Sequence, residues 1–237
     1  MAPSVPPELV RARSLEWRAP DKNFSLFVPN FVLKAGERLA IVGPSGCGKS
    51  TLLGLLSLAL RPTAGSIQIE GQEVAPCWRT KQGIRELGRL RARNLGFVPQ
   101  MYGLLPFLSV RANIALPLRV LERDDHGRIV ECAQRLGIAS LLDRAPASLS
   151  VGQRQRVAIA RAVVHRPRVV MADEPTAALH PDQADDAMRL LFEQASAEAA
   201  VIMVTHDATR AEKAGFVVVQ AIPQTSGATI ATADNVP

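Results

Sequence analysis

Aromatic residues are scarce in this chain, at 4%, so its core has to be built mainly from Leu, Val, Ile and Ala. Cysteine is scarce too. Cys47, Cys77 and Cys132 are odd in number and lack metal-ligand spacing. That argues against a cysteine metal site or a disulfide framework and reads as reduced thiols in a cytosolic protein. Long apolar runs are missing. The longest, residues 52–60, is too short to span a bilayer. Residues 1–7 hold no apolar h-region, so no secretory signal is expected. Internal repeats and heptads are absent as well. The chain is therefore expected to be soluble or peripheral, on the cytoplasmic side of any membrane.

What is present suffices for a full core: 47% of the 237 residues are apolar, enough for one large domain or two small ones. The formal net charge is +6, with a pI near 9.8. A basic balance suits nucleotides, nucleic acid or an anionic membrane surface without choosing among them. The arginines read as spread along the chain rather than blocked.

The most informative run is Gly43-Pro44-Ser45-Gly46-Cys47-Gly48-Lys49-Ser50-Thr51. It fits G-x-x-x-x-G-K-[ST], the loop that cradles nucleotide phosphates. Residues 38–42 read as a buried strand feeding it, and 51–60 as the helix that follows. Glycines let the backbone turn its N–H groups inward on an anion, and the helix N-terminus adds its positive dipole end. Lys49 is expected to reach the β- and γ-phosphates, and the Ser50 hydroxyl to ligate Mg²⁺.

Around this loop the chain alternates strands and helices, which argues for α/β architecture with a mainly parallel sheet. Strands are expected at 9–15 and 24–33, with Pro29 marking an edge or bulge. Further strands fall at 66–70, 95–98, 169–172, 201–205, 216–220 and 229–231. Residues 79–93 are Arg-rich and helical in pattern. Between 101 and 165 helices dominate, at 110–121, 127–136, 138–142 and 152–165. Another helix covers about 182–198.

Two more constellations carry chemistry. Val169-Val170-Met171-Ala172-Asp173-Glu174 is an apolar strand ending in two carboxylates. Beside a phosphate loop, Asp173 would reach Mg²⁺ and Glu174 would polarise an attacking water. Leu149-Ser150-Val151-Gly152-Gln153 opens a helix, with Ser150 and Gln153 in capping-box spacing. Gly152 in that first turn costs helix stability and exposes N–H groups suited to a phosphate.

These residues together resemble the nucleotide-binding subunit of ATP-binding cassette (ABC) transporters. Residues 43–51 match that family's Walker A, 149–153 its signature motif, and 169–174 with Pro175-Thr176 its Walker B. Gln100 stands at the Q-loop position and His206, in Val204-Thr205-His206-Asp207, at the switch position. Segments 90–100, 113–118 and 172–176 resemble the lipoprotein-releasing and macrolide-exporting branch. The resemblance implies a P-loop NTPase with a mainly parallel central sheet, an N-terminal antiparallel β subdomain and an inserted helical subdomain. It implies one cassette over 1–237: a nucleotide-binding core at 8–100 and 166–231, a helical subdomain at 101–165, and loose ends at 1–7 and 232–237.

It further implies an ATP hydrolase using Mg²⁺ that powers a separate membrane permease, an exporter or lipoprotein-release type complex, on the cytoplasmic face of the cell membrane; the alternative is an ATPase of this type that regulates a membrane or cell-envelope partner without transport. No nucleic-acid partner is implied. Two cassettes, two copies of this chain or this chain with a different ATPase subunit, would sandwich ATP head to tail, the Walker A of one facing the signature of the other, here Ser150, Gly152 and Gln153. Glu174 would be general base, His206 would hold the γ-phosphate and attacking water, and Gln100 would sense Mg²⁺ or water. Trp17 is the expected adenine-stacking ring, with Phe24 the alternative. Two departures stand out. Val151 replaces the usual glycine after Ser150, and His180 stands where the family's D-loop has Asp. A neutral imidazole cannot supply a fixed negative charge, so hydrolysis slower than with Asp is expected.

Overall fold

The computed structural model describes residues 6–177, 179–194, 196–224 and 227–229. Apart from Pro6 and Pro7, the ends expected to be loose lie outside them. The chain opens with two long strands, β1 (Glu8–Arg18) and β2 (Ser25–Lys34), paired antiparallel. Asp21 makes their connection by accepting from the backbone and side-chain amides of Asn23. Pro29 lies opposite Ser14, whose φ is +45°. The pairing of β1 with the later strand β4 (Ala64–Ile69) slips between Arg13 and Glu16. The irregularity expected at Pro29 therefore falls on its partner strand.

β3 (Arg38–Val42) reads RLAIV and is buried on both faces, as a central parallel strand must be. It delivers the chain to α1 (Lys49–Leu56). That helix ends earlier than the apolar run suggests, because Leu58 turns left-handed (φ +60°). β4 then returns to β1. Glu70 and Gly71, both with positive φ, make the two-residue turn into β5 (Gln72–Glu73). α2 (Lys81–Asn94), capped by the Thr80 hydroxyl, leads to β6 (Leu95–Val98).

The helical stretch follows: α3 (Val110–Val120), α4 (Arg128–Arg135) and α5 (Val151–Val163). The helix expected at 138–142 is one 3₁₀ turn, Ala139–Leu141. β7 (Val169–Asp173), α6 (Pro181–Phe192), β8 (Ala200–Thr205), the short α7 (Ala208–Lys213), β9 (Val217–Gln220), β10 (Ile222–Gln224) and β11 (Gly227–Thr229) complete the described chain.

Two sheets result. One is parallel throughout, in the order β6-β7-β8-β3-β9. The other runs β10-β11-β2-β1-β4-β5 and is antiparallel except where β11 joins β2. The mainly parallel core and the N-terminal antiparallel sheet are as expected. The closing hairpin's enrolment in that N-terminal sheet is new.

One buried cluster fills the space between the sheets, around Phe31, Leu52, Leu53, Leu56 and Ile202. A second joins the other face of the parallel sheet to α3, α4 and α5. Each fully buried Leu or Ile stabilises the fold by roughly 1.5–3 kcal/mol, so β3, β7 and β8 are held firmly. Their carboxyl ends open side by side, where open α/β sheets bind ligands.

Candidate nucleotide site

The phosphate loop leaves β3 and closes on α1 at Gly48, whose φ is +87°. A Cβ there would sit 2.7 Å from Cζ of Phe24, so the ring packs directly against the loop. Gly43 is hemmed in by Cys47 Sγ at 3.0 Å and Ala221 Cβ at 3.1 Å from its would-be Cβ. The loop is thus shaped by contacts as well as by glycine's freedom. Lys49 is buried, and its ammonium donates to the carbonyls of Gly43 (2.8 Å) and Pro44 (2.9 Å). The loop therefore carries its cation folded inward, ready to exchange carbonyl partners for anionic oxygens.

β7 lies one strand away from β3, with β8 between them. This brings Ser50 Oγ within 3.0 Å of Asp173 Oδ1, to which it donates. Burial raises the Asp173 carboxyl above its ordinary range, against the opposing pull of the Ser50 hydrogen bond and the Lys49 charge. Glu174 follows in a left-handed conformation (φ +44°). Its Oε2 lies 3.0 Å from His206 Nδ1, just beyond the end of β8, with the ring N–H donating to the carboxylate. The backbone N–H of Glu174 is itself held by the carbonyl of Val204.

A cavity of about 430 Å³ joins these pieces. Ser45, Gly46, Gly48, Lys49, Ser50 and Thr51 line it from the loop, Gln100 and Glu174 from the strand ends, and Trp17 and Phe24 from the antiparallel sheet. The two aromatic rings touch, centroids 6.4 Å apart. Gln100 is exposed, and the backbone after it is anchored by Arg161 of α5. Arg161 donates to the carbonyls of Tyr102 (2.8 Å) and Gly103 (2.6 Å). Burial depresses the pKa of this guanidinium. Nothing in the sequence motif pointed to Arg161 as the tie between the Gln100 loop and α5.

Ser150, Gly152 and Gln153 do not line that cavity. They form the N-terminus of α5, with the capping box complete: Gln153 N–H donates to Ser150 Oγ (3.3 Å) and Ser150 N–H to Gln153 Oε1 (2.9 Å). Gly152 packs against Gln183 of α6, whose Oε1 lies 2.7 Å from where a Cβ would be. Nothing in the local pattern marks Gln183. His180, at the N-cap of α6, is exposed and makes no side-chain cap bond.

A family model described as ABC transporter matches residues 26–177. The chain belongs to the ABC transporter family. The cassette is 42% identical over 188 residues to the lipoprotein-releasing system ATP-binding protein LolD of Idiomarina loihiensis, covering 78% of this chain and 80% of that protein. It is 41% identical over 189 residues to the macrolide export ATP-binding/permease protein MacB of Agrobacterium fabrum, again over 78% of this chain. It spans only 28% of that longer protein. Among solved structures it resembles the dimeric bacterial ABC transporter cassette MJ0796, with a TM-score of 0.76 and 30% identity over 90% of this chain and 94% of that one. The same cassette is also known as a dimer in a post-hydrolysis state bound to ADP and Pi. ATP is therefore the nucleotide of this cassette family and hydrolysis its reaction. No helix among the described residues is long and apolar enough to cross a membrane.

Proposed function

We propose that this cassette binds Mg-ATP between two copies of itself, hydrolyses it, and drives a separate membrane permease from the cytoplasmic face. The observation that carries the reading is the convergence of Lys49, Ser50, Gln100 and Glu174 on one cavity, with Asp173 and His206 bonded to its rim. The donor set fits the metal. Ser50 Oγ, the Asp173 carboxylate and the Gln100 amide are hard oxygens, which suit Mg²⁺. No cluster of three His, Cys, Asp or Glu that could hold a metal occurs among the described residues. Mg²⁺ held by these residues would take its remaining ligands from phosphate oxygens and water, as is usual for that ion. Bound there, Mg²⁺ would neutralise charge on the transferring phosphoryl group.

The chain's own residues supply the rest. The N–H groups of residues 43–51 cradle the phosphates, Lys49 turns from its carbonyls to the β- and γ-oxygens, and Trp17 stacks on adenine. Glu174 takes the proton of the attacking water as its oxygen approaches the γ-phosphorus. His206, bonded to that carboxylate, fixes its orientation and meets the γ-phosphate. Ser150, Gly152 and Gln153 act on the second copy's nucleotide, since in their own chain they stand outside the cavity. The helical subdomain, 101–165, moves with Gln100 through the Arg161 tie and passes the closure on to the permease, of lipoprotein-release or exporter type. ATP turnover by wild type and Glu174→Gln tests the core of this. Losing a general base slows turnover roughly 10²–10⁴-fold, whereas an unchanged rate rejects Glu174 in that role.

A further inference from the structure

Helix α2 lies away from the nucleotide cavity and carries five cations, Lys81, Arg85, Arg89, Arg91 and Arg93, against the single acid Glu86. Four of the chain's net +6 charges thus sit on this one helix. The Arg-rich pattern read at 79–93 thus falls largely on one helix. Elsewhere Arg11, Arg156, Arg168 and Arg210 each pair with a carboxylate. Lys81, Arg85, Arg89 and Arg93 are exposed and have no hydrogen-bond or ion-pair partner among the described residues. They recur every fourth position, so they form one row on the helix surface.

That row flanks a groove of about 890 Å³ between α2 and the Glu70–Gln72 turn, floored by the buried Ile69 and Leu90. Such a row of unpaired charge on a groove wall is electrostatically complementary to an elongated anion. We infer that this groove docks an extended acidic segment of a partner protein, its carboxylates pairing with Lys81, Arg85, Arg89 and Arg93.

The spacings match. Successive cations rise by about 6 Å along the helix, and alternate residues of an extended chain are about 6.7 Å apart. From Lys81 to Arg93 the row runs about 18 Å, the reach of five or six extended residues at about 3.3 Å each. Glu86, and Glu70 with its Arg168 ion pair, also face the groove. They would repel a uniformly charged phosphate backbone, but a peptide of mixed sequence can place neutral or basic residues beside them. The apolar side of α2 is already buried through Leu87 and Leu90, which leaves Ile84, 55% exposed, as a lone apolar side chain rather than a face that could insert into a bilayer.

The test uses the full chain and a fluorescein-labelled peptide of alternating glutamate and serine, long enough to span α2, followed by anisotropy. Saturable, salt-sensitive binding is expected, weakened roughly five- to thirtyfold in the R85Q/R89Q double variant. It should be kept in R85K/R89K and in Arg135→Gln, which lies outside the groove. Basal ATP hydrolysis stays at the wild-type rate in all three variants, separating this groove from the nucleotide site. Binding no tighter than that of an alternating lysine–serine peptide overturns the inference, as does binding indifferent to R85Q/R89Q. Preference for oligothymidylate or phosphatidylglycerol vesicles over the acidic peptide, lost in R85Q/R89Q, overturns it too. That result would make the groove a phosphate-recognising surface.

Discussion

His165 gives the fold a built-in sensitivity to acid. It lies just past the C-cap of α5, is only 2% exposed, and its Nε2–H donates to the carbonyl of Leu95 at 3.2 Å. Nδ1 is buried with no partner among the described residues. Burial, reinforced by the charges of Arg123 and Arg128, lowers its pKa from 6.5 to about 4, against the opposing pull of the Leu95 bond. The folded pKa lies below the unfolded one, so the unfolded chain binds the proton more readily. Stability is then complete above pH 6.5 and falls as pH drops toward 4. Integrating the proton linkage between pH 7 and pH 5 gives a loss of about 2 kcal/mol from this one ring. For a domain of this size that lowers the melting temperature by roughly 4–8 °C. The perturbation is His165→Gln, which keeps an N–H donor for Leu95 but cannot titrate. Urea unfolding of both proteins at pH 7 and pH 5 measures the difference. Wild type should lose about 2 kcal/mol more than the variant between those values. Equal losses, or an ordinary imidazole titration for His165 by NMR, would refute the reasoning.

Other outcomes follow from single contacts. Asn113 is fully buried and binds the loop before α3 at four points. Its Oδ1 accepts from Leu105 N–H, and its Nδ2 donates to the carbonyls of Leu105, Leu108 and Ser109. Asn113→Leu orphans those backbone groups and should cost roughly 3 kcal/mol in urea unfolding. A loss below about 1 kcal/mol would mean that water replaces the amide. At His180, exposed and without a cap bond, His180→Asp should speed steady-state ATP turnover by up to roughly tenfold, the scale of one hydrogen bond to a charged group. Unchanged or slower turnover refutes the reading of His180 as a brake.

The parallel sheet was legible because β3, β7 and β8 are short, largely apolar runs that lead into chemistry-bearing residues. The phosphate loop, Asp173 and Glu174 could be placed together from the sequence since strand ends of a parallel sheet share one edge. What escaped notice was decided by tertiary contacts. The helix expected at 182–198 stops at Phe192, where Gln194 Nε2 turns back to the carbonyl of Leu190 and Ser196 pairs with Ala199 ahead of β8. α7 is six residues long, too short for periodicity, and is announced only by its Asp207 cap. The β11–β2 pairing joins segments some two hundred residues apart, which no local pattern encodes. Arg161 and Gln183 sit in ordinary helical sequence. Their importance comes from what folds against them: the Gln100 loop on one and Gly152 on the other.

The proposed catalysis requires that two copies share each nucleotide. Sedimentation of Glu174→Gln in Mg-ATP measures this directly, because blocked hydrolysis should trap the closed pair. The expected result is a species of twice the protomer mass that reverts to protomers when Ser150 and Gly152 are also substituted. Protomers that hold ATP tightly yet sediment singly would contradict it.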